Sequence, residues 1–149
     1  MSDPIGREAV INEFRQYLGE VLRLYEDSVP TLKAKLAAIT SDDIDGLNRC
    51  IQSQQAFVLK TRSFQDKVSD YQARLGISAG SLTDTIRQLP EAHHLGFYSL
   101  LGQFEIVLKE FRFHNDKCQA LLQSKLYLID KRLQKMQVRA DNKLYRNDA

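Results

Sequence analysis

One stretch of the sequence decides the fold: residues 101–136 read LGQFEIVLKEFRFHNDKCQALLQSKLYLIDKRLQKM. Alternating steps of four and three residues separate its seam positions, which is the spacing of a coiled coil. A parallel series from Leu100 to Leu128 widens the apolar stripe beyond one seam. We therefore expect one long helix that faces two neighbouring helices. The seam positions are Leu101, Phe104, Leu108, Phe111, Asn115, Cys118, Leu122, Lys125, Ile129, Arg132 and Met136.

Two more long helices are expected upstream of this stretch. The first should cover residues 7–39, and Pro30 inside it should produce either a kink, which we favour, or two shorter helices. The second should cover residues 42–75. Its start is marked by the hydroxyls and carboxylates of residues 40–43, which can cap free backbone amides. Its end is marked by Gly76, a residue suited to a left-handed cap.

A short helix and the long last helix complete the prediction. The short helix should cover residues 81–89 and stop before Pro90, because the residue preceding a proline avoids the helical region. The last helix should cover residues 91–138, and residues 140–149 should form a flexible tail. The fold class is therefore all-α. We expect a single domain over residues 1–149, an elongated antiparallel three-helix bundle or coiled coil with one additional short helix and a long C-terminal helix.

Composition places the chain among ordinary soluble proteins. Hydrophobic residues make up 43% and charged residues 27%, so neither disorder nor a membrane protein is indicated. No run of apolar residues reaches the roughly 18 that a membrane span needs, and the first residues do not read as a secretion signal. We expect a cytoplasmic protein without membrane insertion.

Residues that could carry chemistry do not form a recognisable site. His93 and His94 are adjacent, so on a helix they point about 100° apart, and His114 lies several turns further along. Cys50 and Cys118 fall on apolar helix faces, where a cysteine acts as a small hydrophobic residue. Glycine-rich phosphate loops and nucleophile motifs are absent from the sequence. We expect no catalytic residues, no metal site and no cofactor, and therefore no enzyme.

Charge is distributed unevenly along the chain. Residues 1–45 carry nine acidic and five basic side chains, a net −4, whereas residues 125–146 carry seven basic and two acidic ones, a net +5. The basic end could suggest nucleic acid, but Asp130 and Asp141 interrupt it and residues 130–144 contain no aromatic side chain. Basic residues near a helix C-terminus also interact favourably with the negative end of the helix dipole, which accounts for them without nucleic acid. We do not expect nucleic-acid binding.

The C-terminal helix carries more apolar surface than one packing face requires. Two interpretations remain open from the periodicity alone: these side chains fill a wide core or a homodimer seam, or some of them bind a partner protein. The side chains that together cover most of the helix circumference are Leu121, Leu122, Leu126, Leu128, Ile129 and Leu133.

The order of these features resembles that of the FlgN-type flagellar export chaperones, a family of small cytoplasmic helical proteins. The resemblance covers about residues 10–146, and its most specific part lies in the last two blocks. The features that carry it are Leu36-Ala-Ala-Ile39, the acidic start before Leu47, Gln52-Ser-Gln54-Gln55 followed by Arg62, Ser81-Leu82 through Leu89-Pro90, and Asn115 followed by Leu121-Leu122, Ser124, Leu126 and Ile129.

The resemblance implies a protein that holds hook-associated proteins, those of the hook-filament junction, before type III export, with the flagellar export apparatus as a further partner. Masking the C-terminal helical segments of these clients would prevent premature assembly by helix-in-groove packing. We expect apolar anchors and flanking bases on the distal part of the last helix. These partner-binding residues are Leu122, Lys125, Leu126, Ile129, Arg132, Leu133, Met136 and Arg139.

One alternative of a different class remains open at this point. The same stripe could serve a structural or signalling coiled-coil protein that self-associates and holds no client, and a homodimer is compatible with either function. Asn115, a polar residue at a seam position, is expected to fix the helix register inside the bundle.

Overall fold

The computed structural model describes residues 4–78 and 80–147, with side chains described as far as Leu144. Over these residues every regular element is helical, which confirms the all-α prediction. A single 3₁₀ turn, Glu91–His93, leads into the last helix. The α-helices are α1 (Pro4–Thr40), α2 (Ile44–Thr61), α3 (Phe64–Arg74), α4 (Leu82–Arg87) and α5 (His94–Asn147).

Helices α2 and α3 together run antiparallel to α1. Near the end of α1, Lys35 Nζ donates a hydrogen bond of 2.7 Å to Gln54 Oε1 of α2. Near the start of α1, Glu13 Oε2 lies 3.2 Å from Arg74 Nη1 at the end of α3. The chain then passes through α4 and returns along α5, which forms the third layer of the expected bundle.

Helices α1 and α5 lie side by side and run in the same direction. The rings of Phe14 and Phe97 approach within 5.5 Å near the start of both helices. Further along, Cys118 Sγ lies 3.4 Å from the carbonyl oxygen of Leu32. In this up-down-up order α1 contacts α2, α3 and α5, and the rings of Phe57 on α2 and Phe111 on α5 also lie 5.5 Å apart.

Aromatic side chains form much of the core. Phe14 and Phe97 are fully buried, and the ring of Phe14 stacks on that of Tyr71 at 5.0 Å. A second aromatic group surrounds Tyr25, whose ring lies 5.5 Å from that of Phe111. Since burying a large apolar side chain contributes roughly 1.5–3 kcal/mol, these residues stabilise the bundle more than any surface ion pair.

Pro30 does not divide the first helix. Helix α1 extends over 37 residues and contains Pro30, so the alternative of two shorter helices is excluded. Pro30 is exposed, whereas Val29 and Leu32 beside it are buried. The residue that lacks a backbone donor therefore faces solvent, and the apolar face of the helix stays continuous.

The second predicted helix is two helices in the structure. Helix α2 ends at Thr61 and α3 begins at Phe64, whereas the sequence predicted one helix over residues 42–75. The hydroxyl of Thr61 donates to the Phe57 carbonyl at 2.9 Å, and Ser63 precedes α3 without a side-chain cap. Threonine and serine compete for backbone hydrogen bonds and favour helix ends, which accounts for the interruption.

The predicted caps are present. Asp43 precedes α2, and its carboxylate accepts a hydrogen bond of 3.0 Å from the Gly46 amide. Ser81 precedes α4 and accepts one of 3.1 Å from the Asp84 amide. Gly76 has φ +66°, the left-handed conformation expected of a glycine after a helix.

Helix α5 continues beyond the predicted end. It runs to Asn147, so residues 140–147 are helical where the sequence suggested a flexible tail. These residues include neither glycine nor proline, and nothing in them terminates a helix. The rest of the expected tail, residues 148 and 149, lies outside the described residues.

Candidate partner-binding surface

Helix α5 has two segments that differ in what covers them. The proximal segment, residues 94–121, packs on α1 with buried side chains such as Phe104 and Cys118. Helix α1 ends at Thr40, and the distal segment, residues 122–144, extends past that point. Every side chain of residues 126–144 is exposed. Helix α5 therefore extends beyond the end of its neighbour α1.

The apolar residues predicted to bind a partner share one face of the distal segment. At about 100° per residue they fall within an arc of roughly 80°, which makes them one narrow stripe. Leu126 is 62% exposed and Ile129 is 51% exposed, so neither belongs to the core of this chain. Leu122, at the base, is half-buried. We call this surface the distal stripe; it consists of Leu122, Leu126, Ile129, Leu133 and Met136.

The two edges of the distal stripe carry different charges. Lys125, Arg132 and Arg139 are spaced seven residues apart, so they line one edge, which we call the basic edge. Arg132 and Arg139 are exposed. The opposite edge carries no base at the corresponding heptad positions. Its residues are Gln123, Asp130 and Gln137.

Lys125 has contacts inside the chain. Its ammonium group donates to Asp42 Oδ1 at 2.6 Å, to the Thr40 carbonyl at 3.4 Å and to the Ile39 carbonyl. Lys125 therefore satisfies the last carbonyl groups of α1, where a positive charge interacts favourably with the negative end of the helix dipole. The sequence predicted Lys125 as a partner-selecting base. These contacts join residues more than 80 positions apart, and no local pattern could have revealed them.

A second apolar surface was not predicted. It is an open groove of about 340 Å³ between α1, α3, α4 and α5, next to the interruption between α2 and α3. Phe64, at the start of α3, forms one wall, and Glu105 is its one charged lining residue. With so little polar lining, the groove offers few groups to orient a ligand. The lining residues are Val21, Tyr25, Phe64, Leu82, Leu101, Phe104, Glu105 and Leu108.

The surroundings of the two cysteines and of His93 indicate structural roles for these potentially reactive side chains. Cys118 is fully buried, and burial raises the pKa of its thiol, so the reactive thiolate is disfavoured. Cys50 is also buried, and both cysteines are free. His93 Nε2 lies 2.6 Å from the Glu8 carboxylate, and this contact joins the 3₁₀ turn before α5 to α1.

Two further site classes find no support in residues 4–78 and 80–147. No group of three or more histidine, cysteine, aspartate or glutamate side chains within these ranges is arranged to hold a metal ion. None of the helices described there combines the length and hydropathy that crossing a bilayer requires.

Together, the fold and the exposed stripe define a class of protein: an elongated helical bundle that leaves an apolar helix face exposed. The whole chain, residues 1–149, matches the model of one family, described as FlgN protein. The chain therefore belongs to the FlgN family, a family of flagellar export chaperones, as the sequence resemblance suggested. Comparison with curated proteins and with solved structures gives no match.

Proposed function

We propose that this chain binds hook-associated proteins in the cytoplasm and prevents their assembly before type III export. Membership of the FlgN family supports the general role. The observation that carries the proposal is the distal stripe, a continuous apolar surface that no element of the described chain covers. Exposed apolar stripes of this kind are typical of protein-binding surfaces.

The binding mode follows from the shape of this surface. A client helix with its own apolar stripe can lie along the distal segment, over about 33 Å at 1.5 Å per residue. Leu126, Ile129 and Leu133 occupy the middle of the stripe, where contacts contribute most to affinity. A client whose C-terminal helix is held in this way cannot use the same apolar face to assemble.

Selectivity should come from the basic edge. Arg132 and Arg139 are exposed beside the stripe, so they can pair with carboxylates along a client helix. Lys125 was predicted to share this role, and its contacts hold the end of α1 against the base of the distal segment. We assign it a positioning role at this surface.

The test is co-purification of the full chain with C-terminal segments of hook-associated proteins from the same genome. An unrelated amphipathic helix of equal length serves as the control client. We expect selective one-to-one capture of at least one hook-associated segment. Capture of none, or equal capture of the control, would contradict the proposal. A stable dimer with a protected distal segment and no affinity for clients would favour the self-associating coiled-coil alternative.

The same preparation addresses the export apparatus. We propose the flagellar export apparatus as a further partner, on the basis of membership of the FlgN family. Pull-down with the cytoplasmic part of the apparatus, with and without client, measures this directly.

A further inference from the structure

We propose that the client helix lies parallel to α5, with its N-terminal end at the turn between α1 and α2 and an acidic row facing the basic edge. This inference rests on the proposed function and adds the direction and charge pattern of the client. It follows from three features: the continuity of the α5 packing face, the charges at the base of the distal stripe, and the asymmetry of its edges.

The distal stripe continues the face by which α5 packs on α1. Cys118, four residues before Leu122, is fully buried and lies against the carbonyl of Leu32 on α1. One turn beyond Leu122, α1 has ended and Leu126 is exposed. A helix docked on the distal stripe therefore occupies the position that a longer α1 would take.

Charges at the base favour the N-terminal end of such a helix. Asp42 and Asp43 in this turn and Asp45 in the first turn of α2 are all exposed, and Lys125 contacts Asp42. The opposed dipoles of the α1 C-terminus and the α2 N-terminus largely cancel, which leaves the carboxylates in excess. An incoming helix N-terminus carries partial positive charge and is attracted here, whereas a helix C-terminus is repelled.

Edge charges determine where the client carries its acids. In parallel packing, position g of one helix faces position e of its partner. In antiparallel packing, position g faces position g and position e faces position e. Arg132 and Arg139 occupy heptad position g when Leu126 and Leu133 occupy position a. A parallel client should therefore carry acids at position e and neutral or basic residues at position g, opposite Asp130.

A second copy of this chain fits the surface poorly in either direction. In a parallel dimer the second α5, unbroken from His94 to Asn147, would continue into the space that α1 occupies. In an antiparallel dimer the two basic edges would face each other, and Arg132 would lie opposite arginine and lysine. A separate helix with an acidic row meets neither obstacle.

The experiment compares two synthetic 21-residue helices of identical composition. Both have leucine at positions a and d; one has glutamate at e and glutamine at g, and the other has these two rows exchanged. Each is used at a concentration at which it is monomeric, and its affinity for the full chain is measured by fluorescence anisotropy. We expect the helix with glutamate at e to bind roughly fivefold more tightly, since exposed charge pairs each contribute modestly. Equal binding or the opposite preference would overturn the proposal.

A pair of variants tests the origin of this preference. Arg132→Gln with Arg139→Gln should reduce the affinity ratio of the two peptides to about one. Lys131→Gln with Lys135→Gln removes the same charge from the face of this segment that is turned away from the distal stripe, and it should leave the ratio unchanged. A ratio that follows total charge rather than position would contradict the assignment of the basic edge.

Direction is measured with a nitroxide on either end of the bound helix. A label on the N-terminus of the captured hook-associated segment should broaden the amide signals of residues 41–45, and a label on its C-terminus those of residues 139–144. The reversed result, with capture intact, would overturn the inference and leave the proposed function standing. Absence of capture would instead remove the proposed function, and the two failures are therefore distinguishable.

Discussion

The two segments of α5 share one apolar period but differ in what covers them. In the proximal segment the side chains of this apolar pattern are buried, and Phe97 and Cys118 are fully enclosed against α1. In the distal segment the same period is exposed, and Leu133 and Met136 face solvent. The difference arises because α1 stops at Thr40 while α5 continues to Asn147. An apolar pattern in the sequence thus reveals a packing face, whereas the length of the neighbouring helix determines whether another part of the same chain covers that face.

Removing a core aromatic should produce the largest effect on the folded chain. Phe14→Ala leaves a cavity where Tyr71 and Phe97 contact the ring, and we expect the free energy of unfolding to fall by about 3–5 kcal/mol. Urea denaturation at constant m value measures the change. The matched control is Phe113→Ala, since Phe113 is 55% exposed, and its effect should stay within about 0.5 kcal/mol. Similar losses at both positions would contradict the assigned core.

Truncating the distal stripe should separate binding from stability. With Leu126→Ala and Ile129→Ala combined, we expect client binding to weaken by roughly 3 kcal/mol while circular dichroism still reports full helicity. A matched control, Leu95→Ala with Ile106→Ala, removes two apolar side chains that are 83% and 64% exposed in the proximal segment. The control should bind clients normally. Loss of helicity in the first variant would mean that its residues belong to the core.

Lys125 marks the boundary between the two segments and should have an intermediate effect. Lys125→Met removes the donors to the Ile39 and Thr40 carbonyls, and we expect it to destabilise the bundle by about 1–2 kcal/mol. Asp42→Asn removes only an exposed partner and should cost roughly 0.5 kcal/mol. Thermal or urea unfolding of both variants and of the double mutant gives the coupling. An unaltered Lys125→Met variant would show that this boundary does not depend on the lysine.

The smallest effect concerns alkaline pH. Burial raises the pKa of the Tyr71 phenol, so the folded state holds this proton more tightly than the unfolded state. The associated stability is fully present below the unfolded tyrosine pKa of about 10 and is lost as pH rises through the folded pKa. The urea midpoint should therefore fall above about pH 10, and Tyr71→Phe should reduce that fall. Tyr127→Phe, at an exposed position, controls for loss of a hydroxyl group; an equal response would contradict the mechanism.

Much of the fold could be predicted from the sequence. Apolar periods identified the long helices, and Asp43, Gly76 and Ser81 indicated where elements begin or end, because capping chemistry is local. The interruption at Ser63 was missed, since glutamine-rich segments fit a continuous helix as well as a broken one. Thr61 and Ser63 carry the local signal for the interruption, but threonine and serine also occur inside continuous helices.

The candidate surface could be predicted only in part. The residues of the distal stripe follow from periodicity, and the structure places them on one exposed face. Whether they are buried could not be read from the sequence, because it depends on where α1 ends relative to α5. The position of Lys125 against Asp42 also depends on that alignment, as does the groove beside Phe64.

The most direct test of the difference between the two segments is amide hydrogen exchange of α5 in the free chain and in the client complex. We expect residues 94–121 to be protected in both states, and residues 126–144 to exchange quickly when free and slowly when a hook-associated segment is bound. Exchange is measured by NMR or mass spectrometry on the full chain. Strong protection of residues 126–144 without a client, or no change there when a client binds, would contradict a chaperone that holds its client on the distal stripe.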